Sequence, residues 1–191
     1  MSTGNNIGIK LENWFNTAAT SFDEKTLRNK TFNVLGSAWD NLVKSGASAS
    51  ELDKAYRNGF INLGKTYITH LDKTYGDGKG NLTLQEYIKS ELAKLPLEYK
   101  NDPEFIQAAR NIANNINVDG NTIIDEKEMA AVLSVFDKDC ENGNLNGKIN
   151  GYDYATCSMC LIEGNNKIGK AIRQKITNRY NQMFGTNIKA K

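Results

Sequence analysis

Twelve residues, from Asn117 to Glu128, constrain this chain more than any other stretch. Oxygen-bearing side chains stand at the first, third, fifth, ninth and twelfth places (Asn117, Asp119, Asn121, Asp125 and Glu128), and the Ile123 carbonyl falls at the seventh. A hard cation such as calcium takes about six to eight oxygens, and a loop with this spacing, ending in an acid that can bind through both oxygens, supplies them from one short segment. Ile124, at the eighth place, is apolar and suited to pair with a neighbouring loop as a short strand. Two positions depart from the pattern. Asn117 offers oxygen without charge at the first place, and Thr122 stands sixth, where glycine usually makes the sharp turn. A side chain forced to a positive φ there would cost free energy.

The surrounding residues predict helices on either side of this stretch and a second loop upstream. Ser48 with Glu51 makes a capping box, which opens a helix whose stripe is Leu52, Tyr56, Phe60, Leu63, Tyr67 and Leu71. Gly59 and Gly64 in that helix either weaken it or allow close packing. Residues 72–86 follow. Their second half fits the same loop pattern, with Gly80 sixth, Asn81 seventh, Leu82 eighth, Thr83 ninth and Glu86 twelfth. Counting back puts Tyr75 first, which has no suitable side chain. Counting from Asp72 instead inserts a few residues but keeps Asp77 as a second acid, and this is the register adopted. Leu84, Ile88, Leu92 and Leu95 then carry a helix to Pro96. Asp102 caps the next helix, with Pro103 at its first position, and the stripe Phe105, Ala109, Ile112 and Ile116 delivers the chain to Asn117. That separation predicts paired loops, with Leu82 and Ile124 facing each other across a two-stranded bridge.

A third candidate occupies residues 137–153, after a short helix through Met129, Val132, Leu133 and Phe136. Counted back from Asp153, the donors are Asn142, Asn144, Asn146, the Lys148 carbonyl and Asn150. Counted forward, Asp137 and Asp139 open the loop and some residues bulge out. Both registers stay open.

From Ser48 to Gly164 the chain resembles the EF-hand calcium-binding proteins, and the third loop also resembles a dockerin-type calcium loop. The resemblance implies an all-α fold of helix-loop-helix units, one paired lobe plus an additional atypical loop, flanked by terminal helices. It also implies calcium as the natural ion. The implied function is that of a calcium-responsive sensor or buffer engaging a protein partner; the alternative is a calcium-stabilised scaffold that does not switch. The donor chemistry points the same way independently. All the candidate ligands are hard oxygens, which favours calcium, or magnesium at the weaker sites, over zinc or copper. Few carboxylates and nearby Lys73, Lys79, Lys138 and Lys148 place the expected dissociation constants at about 10⁻⁶ to 10⁻³ M.

The flanks divide the chain further. Residues 1–46 read as helices covering the core, residues 48–164 hold the three loops, and residues 165–191 form a basic amphipathic helix and tail. In that helix Ile168, Ile172, Ile176, Tyr180 and Met183 line one side, while Lys167, Lys170, Arg173, Lys175 and Arg179 crowd the rest. Docking of the stripe on the core, with the charges solvated, is the preferred reading. Membrane contact is the alternative, and no basic-aromatic pattern marks a nucleic-acid module. A net charge of +2 is unlike the acidic balance expected of a calcium buffer. No apolar run approaches the roughly 20 residues of a membrane span and the start is not leader-like, so a cytoplasmic location, or an already trimmed chain, is expected.

Catalysis finds no support. The lone His70 limits the familiar triads, and no phosphate-cradling or dinucleotide motif occurs. Cys157 and Cys160 have redox-motif spacing without a βαβ setting. A zinc site of these with Cys140 and His70 would need three remote segments to converge.

Overall fold

The computed structural model describes residues 40–140 and 151–191, with the side chains of 138–140 and 151–155 left aside. The helices expected before residue 40 and the heart of the third loop lie outside the described residues.

The described chain is mostly helical: α1 (Ala49–Tyr75), β1 (Leu82–Thr83), α2 (Leu84–Ala93), a 3-10 turn (Leu97–Tyr99), α3 (Pro103–Ile116), β2 (Ile123–Ile124), α4 (Glu126–Cys140), α5 (Gly151–Leu161) and α6 (Lys167–Phe184). Local chemistry sets many of the ends. Ser48 and Glu51 form the capping box of α1, and Thr83 with Glu86 forms another at α2. The Asp102 carboxylate accepts from the Glu104 amide at 2.9 Å, ahead of Pro103, which begins α3. Asn166 caps α6, and Gly185 closes it in the left-handed region at φ 65°.

The two strands pair antiparallel, Leu82 opposite Ile124 and Thr83 opposite Ile123. This is the pairing that the eighth-place residues of the two loops predict. Leu82 and Ile124 are both fully buried, so the bridge is part of the core as well as a clasp between loops.

Helix α4 is the centre of the molecule. Met129, Ala130, Ala131, Val132, Leu133, Val135 and Phe136 are all buried, which leaves it apolar nearly all round, as a helix covered on several sides must be. It packs chiefly against α1 on one flank and α6 on another. At the α1 crossing the backbones come close, because a Cβ on Gly64 would collide with the Glu126 carbonyl and lie 3.0 Å from the Ala130 amide. Close packing, rather than weakening, is therefore the role of Gly64. Gly64→Ala is expected to cost about 1–3 kcal/mol through overpacking, read as a lower denaturation midpoint. An unchanged midpoint would mean the helices can separate freely at this crossing.

Two expectations about helix faces need correction. Helix α4 does not stop at Phe136 but continues to Cys140, and Asp137 is buried within it, accepting a hydrogen bond from the Tyr56 hydroxyl. Core contact with α1 thus carries the helix past the point where its apolar residues run out. On α6, Ile172, Ile176, Tyr180 and Met183 are buried, but Ile168 is 51% exposed. Its two arginines are not simply solvated. Arg173 donates to the Asn115 side-chain oxygen from Nε (3.0 Å) and Nη2 (2.8 Å). Arg179 donates to the Ser134 hydroxyl at 2.7 Å and lies over the Tyr56 ring. Both sit at the margin of the apolar stripe, where a long stem can run along the core while its head finds polar partners.

Candidate metal centre

The first loop follows the end of α1. Asp72 lies in the last turn of that helix and is 1% exposed, so its carboxylate is delivered inward. Its oxygens accept from the Gly78 amide at 3.2 Å and the Gly80 amide at 2.6 Å. Both glycines have positive φ (74° and 93°), which lets the chain double back over the carboxylate. Asp77 is exposed and accepts from the Lys79 amide at 3.0 Å, with the Lys79 ammonium at 2.8 Å. The Lys79 ammonium, and after it the Lys79 amide, holds the Asp77 carboxyl below its ordinary range, and Asp77 raises Lys79 in turn. Glu86 is half-buried at the start of α2, where Oε2 accepts from the Thr83 amide (2.9 Å) and hydroxyl (2.8 Å).

Asp72, Asp77 and Glu86 each offer an oxygen within 4.8 Å of the others, with Asp72 buried, Asp77 exposed and Glu86 between. Three carboxylates this close repel one another, and a cation between them would relieve that repulsion. Among the described residues this is the one such acidic group. It contains the acids of the register that starts at Asp72. Asn81 is exposed on the rim, and the Thr83 hydroxyl is occupied with Glu86.

The second loop is organised differently. Asn117, at the end of α3, accepts from the Gly120 amide at 2.6 Å and donates to the Asn121 carbonyl at 2.7 Å. Asp119 accepts from the Asn121 amide and side chain, and the Asn121 oxygen accepts from the Ile123 amide at 2.6 Å. Asp125 caps α4, accepting from the Lys127 and Glu128 amides at 2.9 Å each. Glu128 is 1% exposed and turns back into the loop. Its Oε1 accepts from the Val118 amide at 2.6 Å and the Asp119 amide at 3.3 Å, and Oε2 from the Asp125 amide at 3.2 Å. Burial, aided by the neighbouring Asp125 and Asp119 charges, pushes this carboxyl up to about 7 despite those amides. The same loop acts on Tyr180 of α6, whose hydroxyl is pushed up to about 12, first by burial and then by the Asp125, Glu128 and Asp119 charges. The positive-φ turn falls on Gly120, the fourth residue, at φ 76°. The loop with the better spacing in sequence is thus the one whose acids are less gathered: Glu128 turns one oxygen back to the Val118 and Asp119 amides.

Of the third loop, Asp137 points into the core rather than toward a shared centre. Asp139 lies on α4 and Asp153 on α5. Asn142, Asn144, Asn146, Lys148 and Asn150 are outside the described residues. Cys157 is buried and Cys160 half-buried on α5.

Sequence reasoning missed Asn115. It is fully buried on α3, with Nδ2 donating to the Leu161 and Glu163 carbonyls (2.8 and 2.9 Å) and Oδ1 accepting from Arg173. Those bonds fasten the end of α5 and the middle of α6 to the helix leading into the second loop. Its place between Ile112 and Ile116 was the only available signal.

Comparison of the chain with protein-family models, curated proteins and solved structures finds no match. Among the described residues, no helix is long and apolar enough to cross a membrane.

Proposed function

We propose that this is a calcium-binding protein whose first two loops form an EF-hand pair, and that ion uptake alters how it presents itself to a protein partner. One observation carries the reading: two helix-flanked, oxygen-rich loops are joined back to back through Leu82 and Ile124, and one of them gathers Asp72, Asp77 and Glu86. Hard carboxylate and amide oxygens in that arrangement suit calcium, with magnesium competing where charge is low. The involvement of Glu128 supports a responsive role. Binding an ion through both of its oxygens would take the carboxylate from the Val118 and Asp119 amides, and Glu128 stands in the first turn of the central helix α4. A change at that turn is felt by the core that α4 organises.

A structural ion is the second reading, favoured by the closed core: Met129 and Met183 are buried, while Met159 is exposed at 38%. The test is a calorimetric calcium titration of chelator-stripped protein with magnesium near a millimolar, run beside an apolar-dye assay. Ion uptake with increased dye binding supports the responsive reading. Uptake with stabilisation and no dye response favours the structural ion, and no uptake at all rejects the calcium reading.

A further inference from the structure

A cavity of about 350 Å³ lies between α3 and the connector that joins α5 to α6. One wall is a face of α3, where Glu104, Gln107, Ala108 and Asn111 recur at helical spacing. The other is the connector itself, residues 162–166. Directional bonds fix the two walls to each other. The Asn111 side chain donates to the Ile162 carbonyl at 2.8 Å, and Asn115 donates to the Leu161 and Glu163 carbonyls. Gly164 lets them approach closely, since a Cβ there would lie 3.3 Å from the Asn111 side-chain nitrogen. Walls held in place before a guest arrives lose little freedom when it binds. The polar groups left over are one-sided. Gln107 Nε2 donates to Asn111 at 3.0 Å, Asn111 donates across to the connector, and the Asn166 side chain donates to one Glu163 oxygen. Among the described residues, the Glu104 carboxylate, the second Glu163 oxygen and the Gln107 oxygen accept no bond. No lysine or arginine lines the cavity, although the chain carries a net charge of +2. Arg173 touches Asn165 at 3.4 Å, but it also donates to Asn115 and to the Lys191 carbonyl. Pro103, Ala108 and Ile162 add apolar surface to the lining.

We propose that this cavity receives an arginine side chain of a protein partner. The inference deepens the partner half of the reading above and stands without the calcium half, because no candidate loop ligand lines the cavity. Acceptors without a donor, two of them on carboxylates, call for a cationic donor. A guanidinium presents several donors in one plane and can serve a carboxylate on each wall, while its aliphatic stem lies along the apolar lining. A lysine ammonium is a compact point charge and matches these separated acceptors less well. Pro103, Gln107 and Asn165 are exposed, so the cavity is open to a chain running past it. The same openness leaves each ion pair partly screened and its effect moderate.

The experiment is an NMR titration of the full chain with blocked arginine (N-acetyl-arginine N-methylamide), beside blocked lysine, blocked citrulline and free arginine, in chelator and again in calcium. Blocked arginine is expected to bind saturably, with a dissociation constant on the order of millimolar, and to move the amide signals of Gln107, Asn111 and residues 163–166. Blocked lysine should bind more weakly. Blocked citrulline keeps the shape without the charge and should not saturate. Glu104→Gln and Glu163→Gln should each weaken binding about two- to fivefold, as loss of one solvent-screened ion pair does, and the two together by more than either. Both acids are half-buried at the surface, so the variants should keep the wild-type amide spectrum elsewhere. Asp53→Asn, on α1 and outside the lining, should bind as wild type does. Absence of saturable binding, equal binding of citrulline, or undiminished binding in the double variant would overturn the proposal. Free arginine binding more tightly than the blocked form would indicate a small-molecule guest and overturn the assignment to a partner chain. The two readings fail separately. Arginine binding by a protein that takes up no calcium keeps the cavity and rejects the ion, and calcium uptake without arginine binding does the reverse.

Discussion

Glu128→Gln is expected to weaken calcium binding at the second loop by about a hundredfold, within the span that ligand charge sets across such loops, and to stabilise the chelator-stripped protein above pH 7. The two effects have one origin. Glu128 is the acid that would hold an ion through both oxygens, and without one its charge is buried against amides that only partly compensate. Its carboxyl titrates near 7 in the folded protein, above the ordinary carboxylate range. The stability tied to the neutral form is therefore fully present below that ordinary range and is lost as pH rises through about 7. The loss amounts to about 3 kcal/mol at most. Glutamine cannot ionise, so the variant should lack this decline. Below pH 5 it should be level with wild type or slightly weaker, since its amide nitrogen faces the Asp125 amide as a second donor. Denaturation curves from pH 5 to 8.5 in chelator would show the two proteins crossing. A variant less stable than wild type throughout would mean the ionised carboxylate is well satisfied by the loop, and the responsive reading would lose its main support.

What could be read from sequence was whatever depends on near neighbours. Ser48 with Glu51 and Asp102 with Pro103 announce helix starts because each bond spans only a few residues. The Leu82–Ile124 pairing was legible because an apolar residue at the same place in two polar loops has little else to do than meet its counterpart. Long-range choices were not legible. An aspartate just after Phe136 looks like the start of a loop, but it is buried in the core, where the Tyr56 hydroxyl arrives from another helix to donate to it. Asn115 and Arg173 each look like ordinary polar helix positions until they are seen to share a bond. The opposite uses of two loop-closing acids were hidden for the same reason. Glu86 and Glu128 each pair reciprocally with the ninth-place residue, but Glu86 stays near Asp72 and Asp77, whereas Glu128 turns its other oxygen to the Val118 and Asp119 amides.

Asp72→Asn decides the register of the first loop and should have the second large effect. If the ion is held by Asp72, Asp77 and Glu86, removing the buried charge should weaken that site by about ten- to a hundredfold. The fold should suffer less. The Asp72 oxygens serve the Gly78 and Gly80 amides separately, so asparagine retains one acceptor and orphans one donor, at a cost of about 1–3 kcal/mol. Tyr75→Phe is the matched comparison, since the compact register would begin at Tyr75. It should bind calcium as wild type does. Unaltered affinity in Asp72→Asn would instead mean that the ion engages only the second half of the loop, and that Asp72 is there to shape the turn. The second loop then provides an internal reading of the bridge. Its ligands lie outside the substitution, so a parallel fall in its affinity would pass either through the Leu82–Ile124 pair and the bond from the Leu84 amide to the Thr122 carbonyl at 3.0 Å, or through the packing of α1 on α4. Independent behaviour of the two sites would make the bridge a structural clasp that carries no signal.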